Sequence, residues 1–277
     1  MIESIINYVI QVCLITIEVI SLLVLPGIII GFILQLLTSK LRNQAASITG
    51  HSFFVYFTFL GIVVHELGHA FFCKIFRHKI IDMKLFSPSD EGTLGHVTHS
   101  FDPKNRYQRI GNFYIGIGPI WFGTFIIYII TKLLFPELLL ELEKNPELNT
   151  NVSFIGNCWQ SLFASFKGLA IFFSETFLVR WQMYLWLYLT LSIGFHLTLS
   201  NADIKGAMTG LLSLLRTIFI INIFTVWMEP PLLLWFGDFR SIYGILLFTL
   251  VLVFIASIIL FVVKIFKKII SYNSKIQ

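Results

Sequence analysis

The chain has 277 residues, of which 56% are hydrophobic and only 13% are charged, and its mean hydropathy is +0.82. A soluble domain carries roughly 25% charged residues, so this composition excludes an ordinary soluble enzyme. Apolar runs near the roughly 20 residues that span a bilayer recur along the chain. They predict an all-α polytopic membrane protein, in contact with lipid and organised as one domain over residues 1–277.

The net charge of +5 does not indicate a nucleic-acid partner. The basic residues fall in loops and near the C-terminus, where the positive-inside rule expects them. Cys13, Cys73 and Cys158 are far apart in sequence and form no CxxC pair, so no disulfide framework or cysteine metal site is predicted. Glu3 precedes a long apolar run without any Lys or Arg, which favours a retained first helix over a cleaved signal.

About six transmembrane helices are predicted, with both termini cytoplasmic and the protein in the cell membrane as a multi-pass chain. The first helix is expected within residues 4–37, with a kink or end at Pro26-Gly27. The second, third and fourth are expected at 52–73, 112–134 and 177–199. The fifth follows residues 203–210 and ends at about Trp227, and the sixth covers 242–263. Residues 38–50 are expected to form a polar link, and Pro230-Pro231 to break the chain. The acidic loop 136–157 then lies outside, and so do Lys40 and Arg42, against the positive-inside rule.

The basic loop 78–110 contains a predicted β-hairpin on the cytoplasmic side. KIIDMKLFS and TLGHVTHSF flank the turn sequence PSDEG, and both read as short strands. His96 and His99 fall on opposite faces of the second strand, so they are interpreted as ordinary surface histidines rather than a metal pair. An exposed strand edge of this hairpin is a hypothetical binding place for an extended substrate.

The most informative stretch is GIVVHELGHAFF, residues 61–72. His65 and His69 are four residues apart, so on a helix they share a face about 6 Å apart along the axis and can bind one metal ion. Glu66 is placed to act as a general base on a water molecule, as in the H-E-x-x-H pattern of zinc metalloproteases. The alternative is that three polar residues merely cap or pack between helices. Ionisable groups inside a span are costly, which favours a functional role.

A catalytic zinc ion needs about three protein ligands, and Asp203 is the candidate third ligand. It follows the helix predicted at 177–199 and must be drawn into the bilayer by a local break around Ser200-Asn201. Two alternatives stay open. Ser200-x-x-Asp203 resembles a capping box, which would make Asp203 a helix cap. His196 is a buried packing histidine, a neighbour of the site or a different third ligand.

Small residues predict close helix contacts around these candidates. Gly61 and Gly68 share a face with His65, and Gly206 with Gly210 forms a small-xxx-small face beside Asp203.

These motifs resemble the site-2 protease class of membrane-embedded zinc metalloproteases. The resemblance lies in HELGH at residues 65–69, in Gly118-Pro119 opening the third predicted span, and in Asp203-x-x-Gly206 after the fourth. It covers a catalytic core of roughly residues 52–210. The asparagine that this family often carries three residues after Gly-Pro is Phe122 here.

The resemblance implies a zinc-dependent endopeptidase that binds one zinc ion per chain through His65, His69 and Asp203, with Glu66 as general base. Its substrate would be a membrane protein or peptide cleaved near the cytoplasmic side of the bilayer. One alternative is a zinc-binding or zinc-transport protein without peptidase activity, which would not need Glu66. Another is an inactive protease-like binding module, which the intact Glu66 disfavours. The sequence leaves the substrate and the oligomeric state open.

Overall fold

The computed structural model describes residues 2–23, 25–88, 94–143, 179–228 and 240–273, with the short pieces 171–172 and 174–175. Within these residues the chain is mostly helical and has one small sheet. The helices are α1 (Ile2–Leu23), α2 (Leu25–Thr49), α3 (His51–Phe57), α4 (Phe59–Ile75), α5 (Arg106–Leu134), α6 (Pro136–Glu143), α7 (Gln182–Gly194), α8 (Asn201–Thr225) and α9 (Arg240–Asn273). Strands β1 (Lys79–Lys84) and β2 (His96–Ser100) lie between α4 and α5.

The first predicted span is divided into α1 and α2. The division falls just before Pro26, which is tolerated in the first turn of α2 because the amide there needs no helical partner. The predicted polar link 38–50 is wrong, since α2 continues to Thr49. Leu41 and Ala45, four residues apart, are buried in the core, while the Thr38 hydroxyl donates to the Leu34 carbonyl at 2.8 Å within the helix.

The single helix predicted at 52–73 is also wrong. Helices α3 and α4 meet at Thr58 with a bend of 61°, so together they form either a broken span or a re-entrant loop. The Thr58 side chain is fully buried, and its hydroxyl donates to the Phe54 carbonyl at 2.9 Å. The H-E-x-x-H motif therefore begins close to a sharp bend rather than in the middle of a straight span.

A Schellman motif closes α4 and turns the chain into the hairpin. The His78 amide donates to the Cys73 carbonyl at 2.8 Å, and the Arg77 amide donates to the Lys74 carbonyl at 3.3 Å. Arg77 takes the left-handed conformation, with φ of 58°, that the motif requires. The predicted hairpin is confirmed, because β1 and β2 pair antiparallel. Residues 89–92 of the predicted turn PSDEG, and Thr93 after it, lie outside the described residues.

Helix α5 begins six residues earlier than predicted. Asn105 caps it by accepting hydrogen bonds from the Tyr107 and Gln108 amides at 3.0 and 3.3 Å. Gly118-Pro119 consequently lies in the middle of α5 instead of at its start. A Cβ atom on Gly118 would lie 2.9 Å from the Gly68 carbonyl oxygen, so the two glycines allow α4 and α5 to approach closely.

Helix α7 ends at Gly194, five residues before the predicted end, and residues 195–200 are not helical. The break predicted at Ser200-Asn201 is therefore present but longer. Helix α6 occupies the first part of the predicted acidic loop, while residues 144–157 and Pro230-Pro231 lie outside the described residues. Helix α9 extends beyond the predicted 242–263 at both ends.

Three helices of the described chain are long and apolar enough to cross a membrane. They are α5, α8 and the part of α9 from Phe248 to Lys268, and the α3–α4 pair would be a fourth if it forms one span. The chain is thus a helical protein suited to a membrane, and the prediction of six spans is not confirmed.

Candidate metal centre

Two helices bring His65, His69 and Asp203 together. His65 and His69 lie one turn apart on α4, and Asp203 lies in the first turn of α8. The Nε2 atoms of the histidines are 3.3 Å apart, and the Asp203 carboxylate is 3.3 Å from His69 Nε2 and 3.9 Å from His65 Nε2. The three potential ligand atoms lie within 4.8 Å of one another.

These separations fit a tetrahedral metal ion. Bond lengths of about 2.0–2.2 Å to nitrogen and oxygen place neighbouring ligands of a tetrahedral zinc about 3.3 Å apart. Two neutral imidazoles and one carboxylate form a donor set that suits zinc and several other divalent metals. The three side chains can therefore hold a divalent ion and leave its fourth position open.

The orientation of both histidines is fixed through their other ring nitrogen. His65 Nδ1 lies 2.8 Å from the His196 carbonyl oxygen, and His69 Nδ1 lies 2.8 Å from the Ile115 carbonyl oxygen. A carbonyl can only accept, so each Nδ1 carries the hydrogen and each Nε2 presents its lone pair to the metal position. This is the usual arrangement by which the surroundings of a metal site fix the histidine tautomer.

The Ile115 carbonyl is available because of Pro119. In a regular helix this carbonyl would accept from the amide four residues later, but Pro119 has no N–H. The Gly118-Pro119 pair thus has a specific effect on the site, because it frees the acceptor that orients His69.

The His196 carbonyl is available because α7 ends at Gly194. If the helix continued, the Ser200 amide would bond to this carbonyl. Instead the Ser200 amide donates to Asp203 Oδ2 at 2.6 Å, and His65 takes the carbonyl. The His196 ring lies away from the ligand atoms, with Nε2 3.0 Å from the Thr58 hydroxyl. His196 is therefore a neighbour that orients His65, and among the described residues the ligand group contains Asp203 instead.

The geometry of Asp203 allows both of the roles that the sequence offered as alternatives. Its Oδ2 atom accepts from the Ser200 amide, and its own amide donates to the Ser200 hydroxyl at 3.1 Å, which completes a capping box. Its Oδ1 atom is the one that lies 3.3 Å from His69 Nε2. Because the roles use different oxygens, the cap holds the carboxylate in position for the metal.

Glu66 lies beside the ligands under the hairpin. Its side chain is 7% exposed. A Cβ atom on Gly95 would lie only 2.8 Å from Glu66 Cγ, so the chain entering β2 passes directly over this carboxylate. Glu66 and the three ligands line a cavity of about 520 Å³. The hairpin strand that lines it is β2, through His96, Val97 and His99.

The hairpin histidines occupy different surroundings, as their opposite faces predict. His96 bonds to Asp82 at 2.7 Å at the surface, and this bond lowers the pKa of Asp82. His99 is half-buried, and its Nδ1 lies 3.0 Å from His78 Nδ1. Burial, together with His78 and His69 nearby, lowers the pKa of His99 to about 4. His99 is therefore not the plain surface histidine expected from sequence.

The predicted glycine faces are confirmed except at one position. A Cβ atom on Gly61 would lie 1.9 Å from the Ser192 carbonyl oxygen, and one on Gly210 would lie 2.4 Å from the Phe113 amide nitrogen. Around Gly206 there is open space, so it makes no helix contact and instead borders the cavity.

Asn112 is a polar residue of this cavity that sequence reasoning missed. It lines the cavity from α5 and is only 5% exposed. The signal available in the sequence is its spacing, since it precedes Gly116 by four residues and Pro119 by seven and so shares their helix face. Phe122, at the position of the family's usual asparagine, packs against Phe71 with the two rings tilted by 41°.

No family model matches the chain, and neither a curated protein nor a solved structure matches it significantly. Function is therefore inferred from the residues of this site.

The freed Ile115 carbonyl predicts the effect of Pro119→Ala. The new amide competes with His69 for the carbonyl, so we expect the affinity for Zn²⁺ to fall about 10–100-fold, the range seen when partners of metal ligands are removed. The helix itself should become more stable, because proline is unfavourable inside a helix. Zn²⁺ titration of the purified protein in detergent measures the first effect, and thermal unfolding without metal measures the second. An unchanged Zn²⁺ affinity would contradict this account.

The two oxygens of Asp203 predict that capping and metal binding can be separated. Asp203→Asn keeps an oxygen for the Ser200 amide but removes the anionic ligand, so Zn²⁺ binding should be lost with little change in metal-free stability. Ser200→Ala is the matched control, because it removes a capping bond at a cost of about 1 kcal/mol and leaves the carboxylate in place. Zinc content and thermal unfolding of both variants provide the measurement. Normal zinc content in Asp203→Asn would return this residue to a capping role alone.

Proposed function

We propose that the protein is a membrane-embedded zinc metallopeptidase that hydrolyses peptide bonds of membrane proteins or membrane-associated peptides. The observation that carries this proposal is the group formed by His65, His69 and Asp203, with Glu66 beside it in one cavity. Both histidines have the tautomer that a metal requires, and Glu66 is the general base of the H-E-x-x-H pattern. The apolar helices around the group support a substrate that is reached from the bilayer.

In the proposed reaction, water adds to the scissile carbonyl carbon and the C–N bond breaks. A zinc ion held by the three ligands would supply Lewis-acid chemistry, polarising the carbonyl and making water more acidic. Glu66 takes a proton from the water and returns it to the leaving amine. The cover formed by β2 and Gly95 limits bulk water around Glu66, which strengthens electrostatic interactions in the cavity.

The substrate must reach the site in an extended form, because the carbonyls of a helix are occupied by its own hydrogen bonds. Strand β2 borders the cavity, and its edge away from β1 is unpaired within the two-stranded sheet. We therefore favour β2 as the strand of the hairpin that holds an extended substrate.

The membrane path that we propose differs from the predicted one in its N-terminal half. Lys267 near the end of α9 donates to the Ile48 carbonyl near the end of α2 at 3.1 Å, so these two ends lie on the same side. Between the hairpin and Lys267, α5, α8 and α9 are long enough to cross, and we propose that the 13-residue α7 crosses together with the non-helical residues that follow it. These four crossings return the chain to the side of the hairpin. Helices α3 and α4 then form a re-entrant loop, and Lys40 and Arg42 come to the basic cytoplasmic side.

Labelling of single cysteines tests this path. In a cysteine-free background, Ser47→Cys in the last turn of α2 and Ser100→Cys at the end of β2 should react with a membrane-impermeant maleimide from the same side. Trp227→Cys at the end of α8 is the control and should react from the opposite side. Labelling of Ser47→Cys and Ser100→Cys from opposite sides would restore a single crossing by α3 and α4.

The peptidase proposal predicts that Glu66→Gln keeps zinc and loses cleavage. The amide preserves the shape of the side chain but cannot accept the proton, so hydrolysis should fall at least about 10³-fold. Zinc content and cleavage of a fluorescence-quenched library of apolar peptides in detergent micelles are measured on the same samples. His65→Ala should lose both zinc and cleavage.

The same assay separates the rival functions. A wild type that binds zinc but cleaves no peptide would support a zinc-binding or transport protein. Cleavage at the wild-type rate by Glu66→Gln would show that Glu66 is not the general base, and it would overturn the proposed mechanism.

A further inference from the structure

The Asn112 amide borders the cavity and has no partner among the described residues. The residue is 5% exposed and makes no hydrogen bond to any residue that the structure describes. Its amide atoms are not among the fully buried polar atoms that lack a partner, so they are open to the cavity that Asn112 lines. By contrast, the Thr124 and Thr131 hydroxyls on α5 donate to carbonyls one turn earlier at 2.6 and 2.7 Å. Whatever fills the cavity can therefore accept a hydrogen bond from Asn112.

The position of Asn112 relates it directly to the metal centre. It precedes Ile115 and Gly116 by three and four residues, so the three share a face of α5. The Ile115 carbonyl orients His69, and a Cβ atom on Gly116 would lie 2.5 Å from the Asp203 carbonyl oxygen. Asn112 lies one turn nearer to the start of α5. This end of the helix is held beside the hairpin, because Nε2 of His78, the residue before β1, lies 2.8 Å from the Gln108 carbonyl oxygen.

Peptide hydrolysis needs a hydrogen-bond donor that neither the three metal-binding side chains nor Glu66 supplies. Peptide hydrolysis builds negative charge on the carbonyl oxygen, and donors aimed at this oxygen accelerate the reaction. Glu66 and Asp203 are acceptors when ionised, and the Nδ1 hydrogens of His65 and His69 are already bonded to carbonyls. The amide of Asn112 has uncommitted N–H groups.

We infer that Asn112 is a further catalytic residue, whose Nδ2 group donates to the carbonyl oxygen of the peptide bond that is cleaved. This inference rests on the proposed peptidase function. It explains why an amide without a partner among the described residues lines the cavity, on the same helix face as the Ile115 carbonyl that orients His69. It also assigns α5 a role in binding the substrate, in addition to its role in orienting His69.

Asn112→Leu and Asn112→Asp test the inference. Leucine has a similar size and no hydrogen-bonding group, and aspartate has the same shape without the N–H. Both should lower kcat about 10²–10³-fold at unchanged zinc content. Asn112→Leu should unfold at about the same temperature as the wild type, because the amide makes no hydrogen bond to a described residue. Thr124→Val is the matched control on α5, away from the cavity, and should cleave like the wild type.

Three results would overturn the inference. They are wild-type kcat in Asn112→Leu, wild-type kcat in Asn112→Asp, and loss of zinc in Asn112→Leu, which would mean that the amide supports the ligands instead. Binding of a phosphinic peptide, which imitates the tetrahedral intermediate, provides a readout without turnover and should weaken about 100-fold or more in Asn112→Leu. If the zinc-loaded wild type neither cleaves peptides nor binds this probe, the proposed function itself fails and the inference with it.

Discussion

The structure of the site depends on two backbone carbonyls that helices would normally consume. The Ile115 carbonyl is left without its helical donor by Pro119, and the His196 carbonyl is left without one by the end of α7. Each freed acceptor takes the Nδ1 hydrogen of one histidine. In an apolar interior an unpaired carbonyl would be costly, so these bonds stabilise the helix defects and the histidine orientation together.

The end of α7 at Gly194 has a further consequence for Asp203. When the helix stops before His196, the Ser200 amide also loses its helical acceptor, and Asp203 Oδ2 takes its place. This bond starts α8 and turns Oδ1 toward His69. One interruption of the chain thus frees the acceptor for His65 and holds the carboxylate for the same metal position. The glycines complete the arrangement, because Gly116 lets α5 approach the Asp203 backbone closely.

Sequence patterns predicted the parts of this site that follow helix or strand periodicity. His65, Glu66 and His69 follow from their spacing, and the hairpin follows from turn residues between alternating strands. The bend at Thr58 and the non-helical residues 195–200 did not follow, since an apolar run looks the same whether it is helical or held open by buried side-chain bonds. The extension of α2 over residues 38–49 was missed because this polar run looks like a loop. The hydroxyls of Thr38, Ser39 and Ser47 nevertheless donate to carbonyls within the helix, so the polar residues do not end it.

The irregular positions are therefore where the chemistry resides. A regular bundle of apolar helices satisfies its backbone internally and has no acceptor left for a histidine ring. Proline within α5 and the open segment before α8 each release one acceptor, and each acceptor meets one of the two histidines on α4. Such a site needs close helix contacts, because the acceptors must come within 2.8 Å of the rings. Gly61 and Gly68 on α4 provide these contacts with α7 and α5, so the small residues around HELGH belong to the candidate metal centre as much as its three possible ligands do.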